Sequence, residues 1–257
     1  MAAAAAPAQA APIRAVATEE AISILGWGDS IAAGVGLGST SPAGPFDAAC
    51  GRSPQSFVAQ LGAALHAPTT NLACAGATTW HGVVGNQMAN GTTVPSQLLQ
   101  TYQQPRARVA VGIVGANDVN WSGLIAQCVA TNCATPENRA AFAANLERAR
   151  VGLAISLAGL ELAQPQQIVL LEYYDIFAGL PFTPAQLGFT PDEQDQYRLW
   201  RGALNSMIAE VGSHFPHVTV VPLEMPVPLQ LPGTPGQLHP TAVGQTIIAN
   251  AVRAVLR

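Results

Sequence analysis

The sequence predicts an α/β fold with a five-stranded parallel sheet covered by helices on both faces. Three observations lead there. Short apolar runs occupy residues 22–27, 71–75, 108–114, 167–173 and 217–221. Stretches with helical spacing or helix-start signals separate them, and strands alternating with helices build parallel sheets buried on both sides. The first three runs also end in glycine-containing turns, at Gly28, Gly76 and Gly115. In open α/β sheets such turns border the ligand crevice at the carboxyl ends of the strands.

The elements follow in order. Residues 22–27, ISILGW, read as a buried strand passing into Gly28-Asp29-Ser30. Residues 54–66 place Phe57, Leu61 and Leu65 four apart, on one helical face. The second strand, 71–75, stops at Gly76, and a short helix is expected over 94–102. The third strand, 108–114, ends in Gly115-Ala116-Asn117-Asp118. Thr135-Pro136-Glu137 starts an Ala-rich helix that runs to Leu162, with proline at the first helical position. After strand 167–173, Thr190-Pro191-Asp192-Glu193 forms a capping box opening a helix towards Val211. Strand 217–221 and a helix over 240–256 complete the chain. The Pro-rich stretch 222–240 reads as a long loop, so residues 20–257 form one domain. Residues 1–19 read as a trimmed, export-like segment. Their small residues and Ala-Gln-Ala stretch are similar to the cleavage end of a secretory signal peptide, without its basic and long apolar parts.

Composition narrows the partners. Charged residues are 10% of the 257, and all 11 basic residues are arginines without a continuous stripe. Counterion release on nucleic acid and attraction to an anionic membrane both need such a stripe, so neither partner is expected. The most apolar helical stretch, 151–163, is too short to cross a bilayer and contains Glu161. No extended amphipathic or coiled-coil seam is evident, which points to a monomer. The 4 cysteines, Cys50, Cys74, Cys128 and Cys133, lack zinc-ligand spacing, so no metal is expected. They fit two disulfides, for which three pairings exist. Local closure favours Cys50–Cys74 with Cys128–Cys133; four buried thiols are the other reading.

Ester chemistry needs a nucleophile, a base and oxyanion donors. Ser30 follows the first strand, where its hydroxyl can face the crevice and its N–H the oxyanion. Gly76 offers a second backbone N–H that a substrate can approach closely, and the Asn117 amide a third donor. His239, entering the last helix, is placed to take the Ser30 proton. Each residue also has a plainer reading, because Gly-Asp-Ser is commonly a turn whose Asp caps a helix. Asp29 and Asp118 are read as such local hydrogen-bond acceptors, and His66, His214 and His217 as surface or capping residues. Trp80, His81 and Trp121 stand near the motif turns and are candidates for the crevice wall. The loops 176–189 and 221–238, rich in Pro, Leu and Phe, are candidates for its rim.

Taken together, Gly28-Asp29-Ser30, Gly76, Gly115-Ala116-Asn117-Asp118 and His239-Pro240 resemble the ordered blocks of the SGNH (GDSL) hydrolase family. The resemblance spans residues 28–240. It implies a three-layer α/β/α, flavodoxin-like fold, Ser30 as nucleophile and His239 as base. Ser30, Gly76 and Asn117 would line the oxyanion hole, with no cofactor. The cysteine placement is similar to that of secreted actinobacterial lipases and esterases of the family. One departure stands out: the family often carries an Asp three residues before the histidine, and Gly236 occupies that position here. The expectation is that a main-chain carbonyl from residues 233–237 accepts the Nδ1–H of His239; contact with Asp175 or Glu224 would contradict it. Carboxylic esters with an apolar acyl group, small molecules or lipids, are the expected substrates. A carbohydrate acetylesterase and an inactive secreted ligand-binding module are the alternatives. The chain lacks the Gly-x-Ser-x-Gly elbow of α/β-hydrolases and the Rossmann glycine turn.

Overall fold

The computed structural model describes residues 22–38, 44–234 and 237–257. The export-like segment 1–19 lies outside these residues. The strands are β1 (Ile24–Gly28), β2 (Thr69–Asn71), β3 (Gln87–Ala89), β4 (Thr92–Val94), β5 (Val109–Ile113), β6 (Gln167–Leu171) and β7 (Val218–Val221). The helices are α1 (Ser30–Ala33), α2 (Asp47–Cys50), α3 (Phe57–Leu65), α4 (Gln97–Tyr102), α5 (Trp121–Ala130), α6 (Pro136–Leu162), α7 (Ile176–Gly179), α8 (Pro191–Ser213) and α9 (Ala242–Arg253).

The main sheet is parallel throughout, in the order β2-β1-β5-β6-β7. Every residue of β1, β5 and β6 is buried, as strands covered on both faces must be. Alternation along β1 shows the two covers. Leu25 borders residues of α4 and α6, while the Gly26 Cα faces Val58 of α3 on the other side. Helices α3 and α9 pack together on one face, and α4, α6 and α8 on the other. The chain steps outward from β1 to β2, then returns past β1 to β5 and continues the opposite way. The order therefore reverses between β1 and β5, and the carboxyl ends of these two strands open the crevice.

Local signals hold where side chains satisfy helix ends. Thr135 caps α6, and the Thr190–Glu193 box caps α8 with Glu193 Oε2 accepting from Thr190 N at 2.9 Å. The second strand departs from expectation: β2 ends at Asn71, short of 75. Leu72 N and Cys74 N still donate to the β1 carbonyls of Gly26 and Gly28, while the groups facing outward from this edge take side-chain partners. Asn71 Oδ1 accepts from Ala73 N, and Arg52 donates to the carbonyls of Leu72 and Ala73. The hairpin β3–β4 and helix α5 are not marked by the sequence pattern, and α4 starts at Gln97, three residues later than expected, with Val94 paired in the hairpin. The disulfides are Cys50–Cys74 and Cys128–Cys133, the local pairing. Among the described residues, no helix is long and apolar enough to cross a membrane.

Candidate active site

The site begins at Gly28, where β1 leaves the sheet. Its φ is +114°, and a Cβ there would lie 2.0 Å from the Ile113 carbonyl oxygen, so only glycine fits. The Gln97 side chain clamps this residue: Oε1 accepts from Gly28 N at 2.7 Å and Nε2 donates to Gly28 O at 2.9 Å. Asp29 then caps α1, accepting from Ile31 N, and Ser30 opens that helix. As the first residue of the helix, Ser30 has an N–H without an intrahelical acceptor.

Asp29 does more than cap. Its second oxygen accepts from the Tyr173 hydroxyl at 2.6 Å, and that hydroxyl accepts from Ala116 N at 2.9 Å. One buried phenol thus joins the turns after β1 and β5 to the end of β6. Burial pushes the Asp29 carboxyl up to about 7, and the bonds from Tyr173 and Ile31 oppose it. Asn117 Nδ2 donates to Ala77 O at 2.9 Å, which leaves its second N–H for another acceptor. Both Asp118 oxygens accept from Thr79 N, and one also accepts from the Thr79 hydroxyl at 2.6 Å. Burial raises the Asp118 carboxyl as well. These bonds bind the loop carrying Gly76 to the turn carrying Asn117. Gly76 has φ +74° and open space where a Cβ would project. Behind it stands the Cys50–Cys74 disulfide.

His239 reaches the site from the opposite side. Its Nε2 lies 2.7 Å from Ser30 Oγ, and its Nδ1 lies 3.0 Å from the Gln237 carbonyl oxygen. That carbonyl belongs to the segment expected to supply it. Asp175 instead caps α7 through Phe177 N, and Glu224 faces Arg201 at 3.8 Å. The structure therefore brings Ser30 and His239 into direct contact.

Ser30, Asn117 and His239 line a pocket of about 670 Å³. One wall is the α5 stripe Trp121, Ile125 and Val129, spaced four apart; Leu187, Phe189 and Leu238 also line the pocket. Trp121 rests on Tyr197 with ring centroids 5.3 Å apart. The rim loops expected from composition thus contribute apolar side chains. Two wall candidates are corrected. The Trp80 indole donates to the Arg148 carbonyl of α6, away from the pocket. His81 lines a separate hollow with Gln87; Gly76 borders that hollow too and is not among the residues lining the Ser30 pocket. Trp80 and His81 belong to a tight turn, in which His81 N donates to Thr78 Oγ1 and fixes their direction. Sequence reasoning missed Gln97, Tyr173, Tyr174 and Gln230. Only the Tyr173-Tyr174 pair, polar-tipped residues closing an apolar strand, carried a readable signal.

A sequence profile described as the GDSL-like Lipase/Acylhydrolase family matches residues 27–247. Among solved structures, an extracellular lipase from Streptomyces rimosus superposes with TM-score 0.73 at 19% identity, covering 92% of this chain and 100% of its own. A phospholipase A1 from Streptomyces albidoflavus gives 0.69 at 20% identity, with 92% and 100% coverage. An acetylxylan esterase from Geobacillus stearothermophilus, as a catalytic mutant, gives 0.53 at 16%, with 91% and 93% coverage. At these identities the structural likeness establishes the fold. No curated protein matches the chain.

Proposed function

From the premise that this chain belongs to the GDSL-like lipase/acylhydrolase family and is an ester hydrolase, we propose a secreted carboxylesterase or lipase that works through a Ser30–His239 dyad on apolar acyl esters. The observation that carries this reading is the 2.7 Å contact between Ser30 Oγ and His239 Nε2 where both residues line an apolar pocket. With Nδ1–H donating to the Gln237 carbonyl, the Nε2 lone pair faces the serine hydroxyl, the tautomer a general base requires.

Ser30 Oγ attacks the ester carbonyl carbon while its proton passes to His239 Nε2. The oxyanion is held by the N–H groups of Ser30 and Gly76 and by the second N–H of Asn117. His239 then gives its proton to the departing alcohol oxygen, leaving the acyl group on Ser30. Water, deprotonated by the same Nε2, attacks that acyl carbon; the acid leaves and Ser30 recovers its proton. A main-chain carbonyl orients the ring as a carboxylate would but stabilises the imidazolium less.

The stripe Trp121, Ile125 and Val129 supports an acyl chain in the pocket in preference to a sugar, since Ile125 and Val129 offer no hydrogen bonds to hydroxyl groups and the stripe is mostly hydrocarbon. Two disulfides and the likeness to an extracellular lipase support export. The test is hydrolysis of p-nitrophenyl esters from acetyl to palmitoyl by the protein and by Ser30→Ala. Activity abolished by the substitution, with higher kcat/KM on longer chains, is expected. Preference for acetyl alone would turn the assignment to an acetylesterase. A folded protein inert towards every ester and unlabelled by a fluorophosphonate probe would turn it to a binding module.

A further inference from the structure

The Tyr174 hydroxyl is a buried polar group that the acyl-transfer steps do not use. It donates to the Leu238 carbonyl at 2.9 Å. Leu238 stands between Gln237, whose carbonyl meets the imidazole, and His239 itself. Its φ is +63°, the left-handed region that Cβ sterics disfavour for leucine. Glycine would take that conformation freely, but the residue here is leucine, whose side chain packs on the core and lines the pocket. The backbone must therefore be held from outside. Leu238 N donates to Gln230 O at 3.2 Å, and Gln230 N donates to His239 O at 2.8 Å. Both of those bonds stay within the 222–240 loop. The Tyr174 bond instead ties the loop to the end of β6, part of the sheet that also positions Ser30. Burial holds the phenol well above its ordinary range, so it remains a donor.

We propose that Tyr174 is a positioning residue for the general base: its hydroxyl fixes Leu238 in the left-handed conformation and so aims the Gln237 carbonyl at His239 Nδ1. This rests on the assignment of His239 as base. Strained backbone next to reacting groups is commonly held by its surroundings for such a purpose.

The test compares Tyr174→Phe, Tyr174→Phe/Leu238→Gly and His239→Ala with the unaltered protein. The readouts are hydrolysis of p-nitrophenyl acetate, which does not fill the pocket, and the low-field proton resonance of the His239 Nδ1–H. Loss of the single hydroxyl is expected to lower kcat about tenfold with KM little changed, and to displace the resonance. Glycine at position 238 takes the positive φ without the hydroxyl's help, so the double variant recovers most of kcat and the original resonance. Unchanged kcat and resonance in Tyr174→Phe, with His239→Ala inactive, overturns the positioning role alone. So does a loss that Leu238→Gly fails to restore. Activity retained in His239→Ala overturns the base assignment itself, and the positioning role with it.

Discussion

The two sides of the site are held by different physics. On one side, Ser30, Gly76 and Asn117 follow the ends of neighbouring strands, and buried side chains lock their turns. Asp29 is 1% exposed and Thr79 fully buried, and each is hydrogen-bonded across the sheet ends. On the other side, His239 sits in a long Pro-rich loop held mostly by main-chain bonds, one of them from Leu229 N to Gly179 O, with Gln230, Tyr174 and the Arg201–Glu224 pair as side-chain ties to the rest of the molecule. A long loop can thus carry the proposed base: a rigid sheet positions one half of the site, and a few backbone devices bring the other half to it. Changes on the sheet side are therefore expected to cost both stability and rate, and changes on the loop side mainly rate.

The largest expected effect is on the sheet side. Asn117→Ala removes a proposed oxyanion donor and is expected to lower kcat by about two to three orders of magnitude, or about 2.7–4 kcal/mol of barrier. Steady-state kinetics on a p-nitrophenyl ester checks it; an unchanged rate removes Asn117 from the site. Next comes the buried carboxyl. Asp29 holds its proton up to about 7 in the folded protein, whereas an unfolded carboxyl ionises near its ordinary value of about 4. Across that interval the folded state binds more protons than the unfolded one. Stability must therefore fall by up to a few kcal/mol as pH rises from about 4 to about 7, then level off. Urea unfolding at several pH values reads this slope. Asp29→Asn flattens it in part, since Asp118 and Glu172 are raised by burial in the same direction. An equal slope in the variant would mean that Asp29 is not its source.

The smallest effect belongs to the loop. Gln230 Nε2 donates to the carbonyls of Val35 at 2.9 Å and Pro240 at 3.2 Å. Gln230→Ala should lower kcat about twofold to fivefold and move the thermal midpoint by under about 3 °C. A larger loss of stability with full activity would break the contrast between the two sides.

Much of this was legible in the chain. The apolar runs, the capping box at Thr190 and the glycine-bearing turns each reflect a local rule, so the sheet, α8 and the motif turns could be read without a structure. The Ser30, Asn117 and His239 blocks were legible because they end or begin such elements. The apolar run 71–75 does follow β1, through bonds from Leu72 N and Cys74 N, but the regular pairing lies earlier, over the polar residues Thr69–Asn71, which an apolar pattern does not mark. Helix α5 escaped because neither an N-cap side chain nor a charged face marks it; Asn120 caps it in a left-handed conformation without a side-chain bond. Trp80 and His81 were misplaced because nearness to Gly76 in sequence says nothing of the direction in which a tight turn points its side chains.

The layered parallel fold, the order of the strand-end turns and the residues proposed to carry acyl-transfer chemistry follow from the chain alone, since periodicity, capping and side-chain type are local properties. Only the tertiary structure decided that the Gln237 carbonyl faces the imidazole, that Tyr173 and Tyr174 brace the two sides, and that α5 walls the pocket. The two tyrosine braces join residues 144 and 64 positions apart in the chain, and the Ser30–His239 contact they serve joins residues 209 apart. Their geometry arises from packing the sheet, its covers and the loop together, which local sequence pattern does not encode.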